Sequence, residues 1–101
     1  MLHHVVMWTL KDFAEGNSKS ENLKITKEKL EDLKLQIPEI KELEVGVKME
    51  ASEFANYDLI LDTYFDNYED LKKYQNHPEH KKIVEWLSKV RDLKASVDYE
   101  I

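Results

Sequence analysis

A chain of 101 residues fits one domain, spanning 1–101, and its 42% hydrophobic and 36% charged residues exclude a disordered tail while suiting long solvated helix faces. The net charge of −6 argues against nucleic acid and, more weakly, against anionic membranes, and no apolar run reaches the roughly 20 residues of a membrane span. With no cysteine there is neither a disulfide framework nor a thiolate metal site, and an N-terminus without a basic start or a small-residue cleavage site leaves a cytoplasmic location as the default expectation.

Residues 2–10 read as a strand, with β-branched Val5 and Val6 and no Gly or Pro. The polar stretch from Asp12 to Ser20, with Gly16, reads as a loop whose Ser18 or Ser20 caps the following helix. That helix spans 20–36, with Leu23, Leu30, Leu33 and Ile37 on one stripe and Lys and Glu on the other face. Ile37-Pro38 ends it, because the residue before Pro avoids helical angles. Residues 41–49 alternate, with Leu43, Val45 and Val47 against Glu42, Glu44 and Lys48, and Gly46 marks a bulge or a close backbone approach.

After a loop over 50–55, residues 56–65 form the strongest strand. Tyr57, Leu59, Leu61, Thr63 and Phe65 share one face, and Asp58, Ile60, Asp62 and Tyr64 the other. Asn67 caps a short helix interrupted at His77-Pro78, and Pro78 opens a second helix over about 78–91. Residues 95–101 alternate again, Ala95, Val97, Tyr99 and Ile101 against Ser96, Asp98 and Glu100.

The order β-α-β-β-α-β predicts an α+β, ferredoxin-like fold: a four-stranded antiparallel sheet with helices on one face, the first and third strands central. Both central strands carry large apolar groups on both faces, Val6 and Trp8 against Val5 and Met7, then Leu59 and Leu61 against Ile60 and Tyr64. Helices cover only one face. The other would leave apolar side chains in water at a cost of about 25 cal/mol per Å², so a second copy packed sheet against sheet is the expected partner.

Four histidines are candidates for chemistry. His3 and His4 are adjacent on a strand and point to opposite faces, so they cannot share a metal. His77 and His80 have i, i+3 spacing, but Pro78 puts His77 at the cap and no third ligand accompanies them; no metal or cofactor is assigned. His80 shares a stripe with Ile83, Val84, Leu87 and Val90 and should face the sheet, while Tyr74 and Leu71 lie on the inward side of the preceding short helix. A buried, neutral His80 beside Tyr74 would make an acid/base pair; the alternative is a core histidine bonded to a tyrosine hydroxyl or a carbonyl. Asp62, mid-strand, needs a partner and would serve an interface or hold a histidine. Trp8 and Trp86 read as core or pocket wall.

The opening His4-Val5-Val6-Met7-Trp8, the Tyr57-Asp58-Leu59 strand start, the block Tyr74-Gln75-Asn76-His77-Pro78-Glu79-His80 and the closing Val97-Asp98-Tyr99 resemble the stress-responsive A/B barrel (Dabb) domain family over nearly the whole chain. The resemblance implies a dimeric α+β barrel, in which two sheets close across a two-fold. A plant member, olivetolic acid cyclase, performs an intramolecular aldol condensation. By that resemblance His80 takes the base role, Tyr74 binds the reacting carbonyl, His4 lies near the same cavity, and Asp98 and Tyr99 are structural. Three functions follow as expectations: a pocket for a small carbonyl compound, a non-catalytic stress or scaffold dimer, and the haem-binding or monooxygenase chemistry of other dimeric α+β barrels.

Overall fold

The computed structural model describes residues 1–101 as β1 (Leu2–Leu10), a hairpin of β2 (Phe13–Ala14) and β3 (Asn17–Ser18), α1 (Lys19–Gln36), β4 (Glu42–Val47), β5 (Leu59–Phe65), α2 (Tyr68–Asn76), α3 (Pro78–Val90) and β6 (Arg91–Glu100). Four strands form one antiparallel sheet in the order β4-β5-β1-β6. This is the expected ferredoxin-like α+β fold, with β1 and β5 central. No helix is long and apolar enough to cross a membrane.

Strand alternation divides β1 cleanly. Leu2, Val6, Trp8 and Leu10 pack into the core beneath the helices, with Leu59, Leu61 and Phe65 of β5 beside them. Leu30 and Leu33 of α1, Leu71 and Tyr74 of α2, and Ile83, Leu87 and Val90 of α3 close that core from above. Val5, Met7, Ile60 and Tyr64 lie on the opposite face, which no helix covers, and there they are only partly buried. Tyr57 and Asp58 precede β5 rather than forming its start; Asp58 instead latches the strand end, its N–H donating to the Trp8 carbonyl and its carboxylate accepting from Leu10 N–H, both at 2.9 Å.

Helix α1 starts one residue before the expected position. Ser18 is the cap and forms a complete capping box with Glu21. Its inward stripe also includes two polar residues that periodicity alone passes over. Asn22 and Thr26 are fully buried. Asn22 Nδ2 donates to the Ala14 carbonyl at 3.0 Å and its Oδ1 accepts from Asn17 at 3.1 Å, which ties the helix to the β2–β3 hairpin. Thr26 Oγ1 accepts from the Trp86 indole at 3.0 Å. The hairpin itself occupies the stretch expected as a loop. Its two-residue turn, Glu15-Gly16, has positive φ at both positions (51° and 77°), the conformation a tight hairpin turn requires.

Strand β6 begins at Arg91, four residues earlier than its alternation indicates. The segment Arg91-Asp92-Leu93-Lys94 is too charged to read as a strand, yet the chain passes from α3 straight into the ladder with β1. Gly46 does mark a close approach: a Cβ there would stand 2.9 Å from Ile60 Cγ2.

Asn22→Leu keeps the side-chain volume but strands the Ala14 carbonyl and the Asn17 amide. We expect a loss of about 1–3 kcal/mol, the cost of a buried group left unpaired, read as a lowered midpoint in urea unfolding.

Candidate functional site

The break between α2 and α3 builds the site. His77 is at once the last cap of α2 and the first of α3, where its Nδ1 accepts from Glu79 N–H at 3.1 Å, and Pro78 fixes the first helical position. On one continuous helix, Tyr74 and His80 would diverge. The break folds the last turn of α2 against the first turn of α3, so the two rings meet at 4.5 Å between centroids. From the sheet side, His4 brings its ring to 6.1 Å from Tyr74.

The three rings line a cavity of about 210 Å³ between the sheet and α3. Its buried lining, Trp8, Leu30 and Leu61, forms the floor; Ser88 and Lys94, both exposed, and the half-buried Arg91 lie on its solvent side, the mouth. Larger, shallower depressions lie beside Met7 and Met49 and beside Lys24 and Lys27, but neither reaches a histidine. His80, Tyr74 and His4 are therefore brought together as expected. His77 is not among them, since its ring is used as a cap. Val84, expected to face the sheet, is half exposed at the cavity edge, because the space beneath it is cavity rather than core. Trp8 is cavity floor, whereas Trp86 packs against the core edge and serves Thr26.

Each polar group has a defined state. Burial pushes the Tyr74 phenol far above its ordinary value, so it stays protonated, and no protein group pairs with its hydroxyl. Burial pulls His80 below the usual histidine range; the Gln75 carbonyl opposes this, and the neighbouring His4, Lys94 and His77 add to it. At neutral pH His80 is uncharged. Its Nδ1 lies 3.1 Å from the Gln75 carbonyl, which can only accept, so Nδ1 carries the proton and Nε2 the free lone pair. His80 is bonded to a carbonyl, as the second reading expected, and it also lines a cavity. His4 Nδ1 is hydrogen-bonded to the Asp98 carboxylate, which orients the ring and leaves its Nε2 unpaired. Asp98, expected as structural, is thereby a member of the site. Pairing of His4 with Asp98 across β1 and β6 is the signal that a register-level reading would have caught.

The opposite face repeats the arrangement. His3 Nε2 is hydrogen-bonded to Asp62, and its Nδ1 lies 2.6 Å from the Tyr99 hydroxyl. Tyr64 stacks on the His3 ring at 4.2 Å. Asp62 thus holds a histidine, one of its two expected roles.

A ferredoxin-like sheet with a histidine–tyrosine cavity under its helices defines the class of protein. The chain belongs to the stress-responsive A/B barrel domain family, whose model matches residues 2–101. A dimeric protein of unknown function with a ferredoxin-like fold from Bacteroides fragilis is similar at 33% identity, covering 99% of this chain and 95% of that one, with a TM-score of 0.85. A Dabb family protein from Mesorhizobium loti shares 20% identity over 99% and 95%, TM-score 0.77. The hydroxynitrile lyase from Passiflora edulis shares the fold at 14% identity over 99% and 92%, TM-score 0.82. No curated protein matches the chain.

The lowered His80 value fixes a sign. Just below pH 6.5 the unfolded chain binds more protons at this position than the folded one, so stability is full above that pH and falls as acid takes the chain down through the folded-state value. His80→Gln removes this contribution. Urea midpoints measured between pH 7 and pH 5 should therefore fall less steeply in the variant than in the parent.

Proposed function

We propose that the cavity binds a small carbonyl compound, that Tyr74 donates a hydrogen bond to the carbonyl oxygen, and that His80 Nε2 removes a proton from the adjacent carbon. The observation that carries this reading is the pairing of a protonated, unpartnered Tyr74 hydroxyl with a neutral histidine whose free nitrogen borders an open cavity. The proton leaves carbon for Nε2, the C–H electron pair moves towards the carbonyl oxygen, and the Tyr74 hydroxyl stabilises the resulting enolate. His4, oriented by Asp98, offers a second nitrogen for relaying the proton or anchoring the ligand. The use of the same fold by the Passiflora hydroxynitrile lyase supports an active pocket in it. The cavity's size favours a small compound over a haem, since about 210 Å³ lies below the range of drug-sized pockets.

The chain acts as a homodimer in this reading, joined through the face that lacks helices. Leu93, Val97 and Tyr99 stand about half exposed there, beside Val5, Met7 and Ile60, and similar solved proteins are described as dimeric. A non-catalytic stress or scaffold role is the second reading; the same uncovered face favours it, because a robust dimer is all that it needs.

Two measurements check these statements. Acetophenone incubated in D₂O with the protein should exchange its methyl protons faster than in buffer, and His80→Gln and Tyr74→Phe should each lower that excess by about tenfold or more. If both variants exchange at the parent rate, the acid/base pair is refuted and the scaffold role is favoured. By sedimentation equilibrium the parent should be a dimer at micromolar concentration, and Val5→Glu with Val97→Glu should shift it to monomer; a monomeric parent removes the sheet-face contact.

A further inference from the structure

The mouth of the cavity holds two cations with no anion to meet. Arg91 and Lys94 both border it, and neither forms an ion pair; the one polar contact is Arg91 Nη1 to the Asp92 carbonyl at 3.3 Å. The cavity's single carboxylate, Asp98, is already taken by His4. Unpaired cations converging on a concave site are notable in a chain of net charge −6.

Their convergence is also not what a regular strand would give. Residues three apart on a strand point to opposite faces. Here Trp8 pairs with Lys94 but Leu10 pairs with Arg91, so three steps of β6 span two of β1. This bulge puts Arg91 on the same face as Lys94, and Thr9 holds it, with Oγ1 accepting from Leu93 N–H at 2.8 Å. Lysines on an edge strand commonly serve only to discourage pairing with other chains. That role needs no bulge and does not require an arginine turned inwards.

We propose that the cavity selects ligands bearing a carboxylate, which Arg91 and Lys94 bind at the mouth while the rest of the ligand reaches Tyr74 and His80. The substrate class is a small keto acid, aryl or alkyl. The proposal rests on the carbonyl-binding reading for the inner end of the ligand and adds an anion site for the outer end. Guanidinium and ammonium groups supply charge-assisted hydrogen bonds there. The charge of Lys94 already acts on His80, so a bound carboxylate would also relieve the positive field on the base.

Phenylglyoxylate and its neutral amide, phenylglyoxylamide, separate the two ends. They share shape and ketone and differ in charge, and neither carries a C–H proton on the carbon next to the ketone for the base to remove. By titration in low salt, followed by two-dimensional amide NMR, phenylglyoxylate should bind about tenfold or more tightly than the amide. That gap should shrink as salt is added. In the double variant Arg91→Gln with Lys94→Gln it should vanish, with the amide's affinity unchanged; the amide spectrum shows whether the fold is kept. Equal affinity of the two probes, binding by neither up to ~10 mM, or a gap that survives in the double variant overturns the proposal. Tyr74→Phe tests the inner end separately. If it weakens both probes alike, both ends stand; if it weakens neither while the gap persists, the anion site stands and the carbonyl anchor fails.

Discussion

The register of β1 between its two neighbours is the constraint on which the rest of the structure depends. His3 and His4 are adjacent, so one must face the helices and one must face away. The ladders set each histidine opposite its partner: His4 against Asp98 on β6, His3 against Tyr99 on β6 and near Asp62 on β5. A slip of one residue would send Leu2, Val6 and Trp8 to the uncovered face and exchange the two histidines. Neither histidine–carboxylate pair would survive it. The apolar pattern of β1 and the polar pairs thus enforce the same register, which is the agreement between levels that a well-specified fold requires.

Strand β6 is inverted with respect to the usual logic of an edge strand. Its apolar residues, Leu93, Ala95, Val97 and Tyr99, point away from the helices, while Lys94, Ser96 and Asp98 point beneath them. In an isolated sheet this would be costly in both directions: apolar groups in water and polar groups in a core. The inner half of the cost disappears because those side chains border a cavity rather than packed apolar atoms. The outer half is offset to the extent that the face is covered, as the dimer proposed above would do. One inverted strand therefore bears on both the cavity and the uncovered face, and the first of these is directly visible.

Much of the fold was legible because its signals are local and periodic. The alternation of β5 named both of its faces correctly, Asn67 and Pro78 announced the two short helices, and Ile37-Pro38 the end of α1. The Tyr74–His80 block was legible through helical spacing together with the Pro78 break. Other features depend on pairing, which a single sequence does not display. Asn22 and Thr26 look like polar surface until the hairpin and Trp86 are placed beside them. Asp98 looks like an exposed residue of an alternating strand until β6 is set against His4. Arg91 and Lys94 lie in a charged run with no alternation because the bulge at Thr9 breaks the period there.

Position in the sheet explains how such a site stays open to solvent while its central groups remain buried. β6 has one sheet neighbour, β1, and no strand beyond it. The cavity wall it provides is thus an edge, and the lining residues Ser88 of α3 and Lys94 of β6 are exposed there. His4 and Tyr74, by contrast, are anchored on the central strand and on a helix turn packed against Phe65, with centroids of Phe65 and Tyr74 5.1 Å apart. Rigid elements thus hold Tyr74 and His4, and the accessible edge holds Arg91 and Lys94. Desolvation shifts Tyr74 and His80, the deeper groups, whereas Lys94 is exposed and Arg91 only partly buried. This gradient, running from core to edge across a few residues, sets the buried Tyr74 and neutral His80 beside the cations of the edge strand, the arrangement that the ligand proposed above would use.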